Sequence, residues 1–171
     1  VPFWLEGLFG KAHIYSALAA AAVGEIFDMN LVEISQALKK YKGLPGRMRY
    51  LHGIKGSRIL DDAESADVFS MAEALEVLGK ITAKRRIAIL GDVLGIGKYT
   101  IEAHEAIGER VAKNSDLLFT FGERARFIAK GAFEKGMSFK NIFQFDTIEE
   151  GVKEIVKKIQ PEDLILVDGS K

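Results

Sequence analysis

Residues 58–97 read RILDDAESADVFSMAEALEVLGKITAKRRIAILGDVLGIG, and the pattern of this stretch decides the fold class. A short apolar run closes on two adjacent carboxylates, Asp61 and Asp62, and helical periodicity follows over about residues 68–80. A second apolar run, Ile87 to Leu90, closes on Gly91, Asp92 and a glycine-spaced loop. In open parallel α/β sheets, ligands bind in the crevice beyond the carboxyl ends of the strands. Both acid-bearing ends fall where such a site is built. Carboxylates there suit ribose hydroxyls, a metal ion or an amine. The chain has no Gly-x-x-x-x-Gly-Lys-Ser/Thr phosphate loop, so it reads as one half of a nucleotide-using site.

Outward from this stretch the same alternation continues. Strand signals lie at Met48–Leu51, Ser57–Leu60, Ile87–Leu90, Leu117–Phe121, Asn141–Phe145 and Leu164–Val167. Helical signals lie at about 68–80, 100–113, 123–135 and 147–159. Strands alternating with helices predict βαβ units, a mostly parallel sheet and right-handed crossovers. The strand runs are continuously apolar, as expected of strands covered on both faces. The fold class is therefore α/β, a Rossmann-like mostly parallel sheet with flanking helices, preceded by a helical fragment.

That fragment is residues 1–45. Its alanine-rich run predicts a helix over 12–23 that ends near Gly24, and Asn30 is placed to N-cap a second helix, Leu31 to Lys40. Gly43, Leu44, Pro45 and Gly46 form the strongest punctuation in the chain and mark a domain boundary before residues 46–171. The opening residues have neither an initiating Met nor a basic n-region, and residues 167–171 stop in a loop where a helix is expected. Both ends read as cuts in a longer protein. The apolar helix Ala17–Val23 is expected to dock on the sheet domain or to mediate contacts between molecules.

Lys plus Arg equals Asp plus Glu at 24 each, which argues against a nucleic-acid surface. The chain has no cysteine, which removes disulfides and thiolate metal sites and fits a cytoplasmic location. No apolar run approaches the roughly 20 residues needed to span a bilayer. The glycines after Asp92 have the wrong spacing for a dinucleotide fingerprint, which counts against a nicotinamide-dependent dehydrogenase.

Six segments in collinear order resemble the Mur ligases, the ATP-dependent amide-bond ligases of cell-wall precursor synthesis. They are Gly10 with Ala17–Ala22, Leu44–Met48, Ile59–Asp62 with Ser70 and Met71, Ile89–Asp92 with Gly97, His104 with Ile107 and Gly108, and Leu166–Val167 with Gly169 and Ser170. The resemblance implies that residues 1–45 are the C-terminal end of the central ATPase domain, with the phosphate loop upstream of residue 1. It implies that residues 46–171 are most of the C-terminal Rossmann-like domain. Implied ligands are ATP and Mg²⁺, with a UDP-linked muramoyl peptide and a D-amino-acid dipeptide or similar amine as substrates.

By the same resemblance, Arg47 reaches ATP phosphate or ribose, a task that suits a guanidinium fork. Asp62 accepts from ribose hydroxyls, or else caps the following helix. Ser16 stands where the family has an adenine-contacting Asn, and Ala12 and His13 replace its His and first Asn. Glu64, Ser65, Asp67, Asp92, Asp168 and Ser170 lie where loops would face the acceptor amine; the ordinary reading of Asp92 is a turn residue. Asp61 reads as structural and His104 as a packed, satisfied histidine. The family's Lys-Gly-Ser-Arg ending becomes Asp168 to Lys171, which reverses a charge. These substitutions leave a second reading, a non-catalytic Mur-like binding domain. No catalytic residue and no metal ligand is expected within the chain.

Overall fold

The computed structural model of the protein describes residues 1–64 and 66–170. Two helices come first, α1 (Lys11–Ile26) and α2 (Leu31–Lys40). Asn30 caps α2 through a capping box, its side chain accepting from Val32 and Glu33 while the Glu33 carboxylate accepts the Asn30 N–H. The expected stop at Gly24 is corrected: α1 continues through it to Ile26, because this glycine is the point where Ile34 of α2 packs against the helix. The alanine run does not bury itself on the sheet domain, and Ile14, Tyr15, Leu18 and Val23 remain exposed.

Residues 46–170 then alternate as β1 (Arg49–His52), β2 (Arg58–Asp62), α3 (Val68–Lys80), β3 (Arg85–Gly91), α4 (Thr100–Asn114), β4 (Leu117–Phe121), α5 (Ala125–Glu134), β5 (Ile142–Phe145), α6 (Ile148–Lys158) and β6 (Asp163–Asp168). They form one sheet in the order β1-β2-β6-β3-β4-β5, with β1 antiparallel and the other strands parallel. The first strand begins one residue later than expected, since Met48 has a left-handed φ of 44° and its N–H is turned to the Asp62 carboxylate. Residues 7–9 extend the edge beside β1, with Tyr50 N–H donating to Gly7 O and Phe9 N–H to Met48 O.

Crossover handedness explains the layering. From β2 to β5 the chain moves one way across the sheet, so α3, α4 and α5 lie on one face. The return from β5 to β6, which slots in between β2 and β3, puts α6 on the other. The larger core, with Leu60, Ala88, Leu90, Leu118 and Leu166, packs on the three-helix side. A smaller one, with Ile87, Phe119, Ile159 and Ile165, lies under α6.

The amino ends of β3 and β6 are tied by a buried ion pair. Arg85 donates from Nε and Nη2 to Asp163 at 3.0 and 2.7 Å, and its Nη2 also reaches Lys158 O. Asp163 is 1 % exposed and also accepts the Gln160 N–H. Removing one partner of such a pair leaves a buried charge uncompensated, so Arg85→Ala is expected to cost about 3 kcal/mol. Urea denaturation measures this, and a loss under about 1 kcal/mol would show the pair to be no stronger than a surface one.

Candidate functional site

The carboxyl ends of β2, β6 and β3 and the junction between residues 1–45 and 46–171 meet at one place. Two backbone amides fix the turn at residues 46–48 ahead of β1. Gly46 N–H donates to Asp61 Oδ2 and Met48 N–H donates to Asp62 Oδ1, each at 2.9 Å. Gly46 cannot be larger, because a Cβ there would lie 2.6 Å from the Glu64 nitrogen and φ is +67°. His13, on α1, is bonded through Nε2 to Arg47 O at 2.9 Å. A carbonyl can only accept, so Nε2 carries the proton.

These constraints shape a cavity of about 390 Å³ between α1, the hinge and α3. Ser16, Arg47 and Asp62 all line it, together with His13 and Tyr41. The Arg47 guanidinium is in no ion pair among the described residues, yet it lies close enough to Asp62 to act on its charge. Burial nevertheless raises the Asp62 carboxyl above its usual range, against the opposing Met48 N–H and Arg47. Ser16 Oγ donates to Ala12 O, which leaves its acceptor lone pairs for a ligand. The helix-cap alternative for Asp62 is corrected: Asp67 caps α3, accepting from Phe69 and Ser70 N–H. Asp61 has the structural part expected of it.

The residues expected at the acceptor side have diverse fates. Asp67 is occupied by its cap, and the Ser70 N–H holds its carboxyl below the usual range. Asp92 Oδ1 accepts from Arg124 and Ala125 N–H and so caps α5, the backbone-satisfying role of its ordinary reading. Ser170 ties loops together, its Oγ accepting from Leu94 N–H while its own N–H donates to Asp92 O. Glu64 is exposed and its N–H donates to Gly46 O. Ser65 lies outside the described residues. His104 is packed, and since Nε2 accepts the Val93 N–H, Nδ1 donates to Thr100 O.

Asp168 stands apart. It is 3 % exposed, and among the described residues neither carboxylate oxygen has a hydrogen-bond partner. Burial, reinforced by the neighbouring Asp62 charge, pushes its pKa up to about 8; the Gly169 N–H opposes this without making a well-aligned hydrogen bond. The sequence pointed to Asp168 as a loop residue near a cleft, but its isolation among carboxylates arises only when β6 is placed beside β2. The sequence marks His13 as a substitution in the family pattern, whereas the fold bonds it to the Arg47 carbonyl. Its position three residues after Gly10 was the one available signal.

Among the described residues, no group of three or more His, Asp or Glu side chains could hold a metal ion, so no residue here is assigned to Mg²⁺. No helix among them is long and apolar enough to cross a membrane.

Comparison with known proteins bears on the family and the fold. The family described as Mur ligase, glutamate ligase domain matches residues 46–171. A UDP-N-acetylmuramoyl-tripeptide--D-alanyl-D-alanine ligase of Bacillus subtilis is 28% identical over 169 residues, 96% of this chain and 36% of that protein. A UDP-N-acetylmuramoylalanine--D-glutamate ligase of Haemophilus influenzae is 26% identical over 160 residues, 94% of this chain and 33% of that protein. Among solved structures, the MurF ligase of Thermotoga maritima in complex with ADP superposes with a TM-score of 0.77 at 21% identity, covering 95% of this chain and 36% of that one. The chain thus spans about a third of the length of the curated relatives it matches. With a family match over all of the sheet domain and the same α/β architecture in the solved relatives, the chain belongs to the Mur ligase family.

Proposed function

We propose that the full-length protein is an ATP-dependent, ADP-forming ligase that joins an acid to an amino acid or dipeptide in peptidoglycan precursor synthesis. Residues 1–45 would be the end of its central ATPase domain, and residues 46–171 most of its C-terminal domain. One observation carries the reading. Ser16, Arg47 and Asp62 come from a helix, a hinge and a strand end, and they line a single cavity.

In this reading the cavity takes the adenosine side of ATP. Ser16 contacts adenine, Asp62 accepts from ribose hydroxyls, and Arg47 reaches phosphate with a donor geometry that suits it. ATP supplies the phosphoryl group that activates the carboxylate substrate as an acyl phosphate. The residues of this chain bind and orient; none is placed in the chemical step. A UDP-linked muramoyl peptide and a D-amino-acid dipeptide or similar amine are the proposed substrates, after the names of the relatives. Closure of the sheet domain about the Gly46 hinge would complete the site.

Arg47→Ala tests the reading in the full-length protein. We expect at least about a tenfold rise in the KM for ATP, with the melting temperature changed by less than about 2 °C, since the residue is exposed and in no ion pair among the described residues. An unchanged KM would take Arg47 out of the nucleotide site. Amine-dependent release of ADP and phosphate tests the activity itself.

A non-catalytic binding role is the second reading, favoured by the capping of helices by Asp67 and Asp92. Titration of the full-length protein with ATP and Mg²⁺ separates the two, since absence of binding at millimolar ATP would favour the non-catalytic role. Nucleotide affinity of residues 1–171 alone is expected to be weak in calorimetry, because they contain no phosphate loop. A low-micromolar dissociation constant would move the main nucleotide site onto this chain.

A further inference from the structure

We propose that His13 is a positioning residue. Holding the Arg47 carbonyl from α1, it fixes the peptide that carries Arg47 and so ties the setting of that arginine in the cavity to the position of α1. The consequence for ATP rests on the ligase reading; the clamp and the setting of Arg47 do not.

The first ground is a peptide held from both sides. The unit between Arg47 and Met48 is trans, so its C=O and its N–H point in opposite directions. The C=O accepts from His13 Nε2 and the N–H donates to Asp62 Oδ1, each at 2.9 Å. His13 belongs to a helix of residues 1–45, and Asp62 to a strand end of the sheet domain. The bond from His13 therefore crosses the boundary between the two parts. Asp61 and Glu64, which hold the N–H and the C=O of Gly46, lie on the sheet-domain side.

The second ground is strain. Met48 has a φ of 44°, in the left-handed region that residues with a side chain rarely enter. Its side chain is anchored in the larger core. Strained backbone persists only where its surroundings over-determine it. The two opposed bonds to the Arg47–Met48 peptide do this. Without His13, one of them is gone, and the peptide is free to turn towards a relaxed φ.

The third ground is that Arg47 depends on its base. The residue is exposed, lines the cavity and acts on the Asp62 charge. Its guanidinium is in no ion pair among the described residues, so no partner at the tip fixes where it points. A long side chain magnifies any turn of the backbone that carries it. The direction of the guanidinium is thus set by the clamped peptide, and a shift of α1 against the sheet domain reaches Arg47 through His13.

The test compares His13→Gln with His13→Ala. A Gln amide nitrogen stands about as far from the backbone as Nε2 and donates in its place. Ala removes the donor, and both variants remove the imidazole charge that acts on Asp62. In the 171-residue chain, NMR follows exchange of the Met48 amide, with the Gly46 amide as control. We expect Met48 exchange to rise about fivefold or more in His13→Ala, the share of one ordinary hydrogen bond. In His13→Gln it should stay within about twofold of the native rate, with Gly46 unchanged in both. The setting of Arg47 is read from a carboxyl-carbon titration of Asp62. Its apparent pKa should be higher in His13→Ala than in His13→Gln by about 0.3 unit or more, a twofold effect. That difference should vanish once Arg47→Ala is added to both. In the full-length protein, His13→Ala should raise the KM for ATP at least about threefold with kcat within about twofold, and His13→Gln should restore it. Added to Arg47→Ala, His13→Ala should raise the KM no further.

Unchanged Met48 exchange, or an equal rise at Gly46, would overturn the proposal. So would equal Asp62 pKa values in the two variants, or a KM effect that persists without Arg47. Only the KM measurements need ATP. Exchange and titration as expected in a protein that releases no ADP would sink the ligase reading and leave the clamp standing. ADP release with unchanged Met48 exchange would do the reverse.

Discussion

Asp168→Asn is expected to stabilise the chain strongly at pH 8.5 and hardly at all at pH 4.5. Burial and the Asp62 charge push the Asp168 pKa up to about 8, whereas in the unfolded chain the group titrates near 3.9. Below about pH 4 it is protonated in both states and costs little. Between the two pKa values the folded state holds a proton that the unfolded state has released, so stability falls as pH rises, and the loss is complete above about pH 8. Asparagine is neutral throughout and nearly the same shape. At about 1.36 kcal/mol per unit, less what relaxation and water entry recover, the variant should gain roughly 3–5 kcal/mol at pH 8.5. Urea denaturation of both proteins at the two pH values measures it. The exposed carboxylates with lowered pKa, such as Glu109 and Glu154, are common to both proteins and cancel in the difference. A difference in stability that stays flat with pH would show that Asp168 is solvated or paired when ionised.

Gly131→Ala is expected to destabilise the domain by about 2–4 kcal/mol, although alanine is the better helix former by about 1 kcal/mol. The helices α4 and α5 touch backbone to backbone. A Cβ at Gly131 would lie 2.2 Å from the Glu105 carbonyl oxygen, and one at Gly108 would lie 2.2 Å from Ile128 O. Neither obstacle is a side-chain tip that can swing away, so the helices must separate and the core formed by Ile107, Val111, Ile128 and Ala132 must open. For a domain of this size the melting temperature should fall by roughly 4–16 °C. Gly136→Ala serves as a contrast, since nothing lies within 4 Å there and only its φ of +97° opposes a side chain. An unchanged or raised melting temperature in Gly131→Ala would mean that the helices are not in contact at this point.

Most of the elements were legible in the chain because their causes are local. The Asn30 cap, the limits of α2, α3 and β4, and the alternation of strand and helix all follow from periodicity and turn chemistry within a few residues. Errors fell where a distant contact overrode the local preference. Gly24 does not end α1, because Ile34 packs on it, and Met48 leaves β1 because Asp62 takes its N–H. Asp62 precedes the helical pattern and could cap it by sequence alone, but Asp67 does so because α3 begins at Val68, one residue after it.

The site divides along the same line. The acids at the ends of β2 and β6, the hinge arginine and the order of the family segments are properties of the sequence, as is the parallel α/β class. That Ser16, Arg47 and Asp62 share one cavity, that Asp92 caps α5, and that Asp168 is buried within reach of the Asp62 charge were decided by the tertiary structure. Strand order is the reason. Periodicity tells a residue which face of a strand it occupies, but β6, last in the chain, lies between β2 and β3 only because the right-handed return from β5 carries it across the sheet.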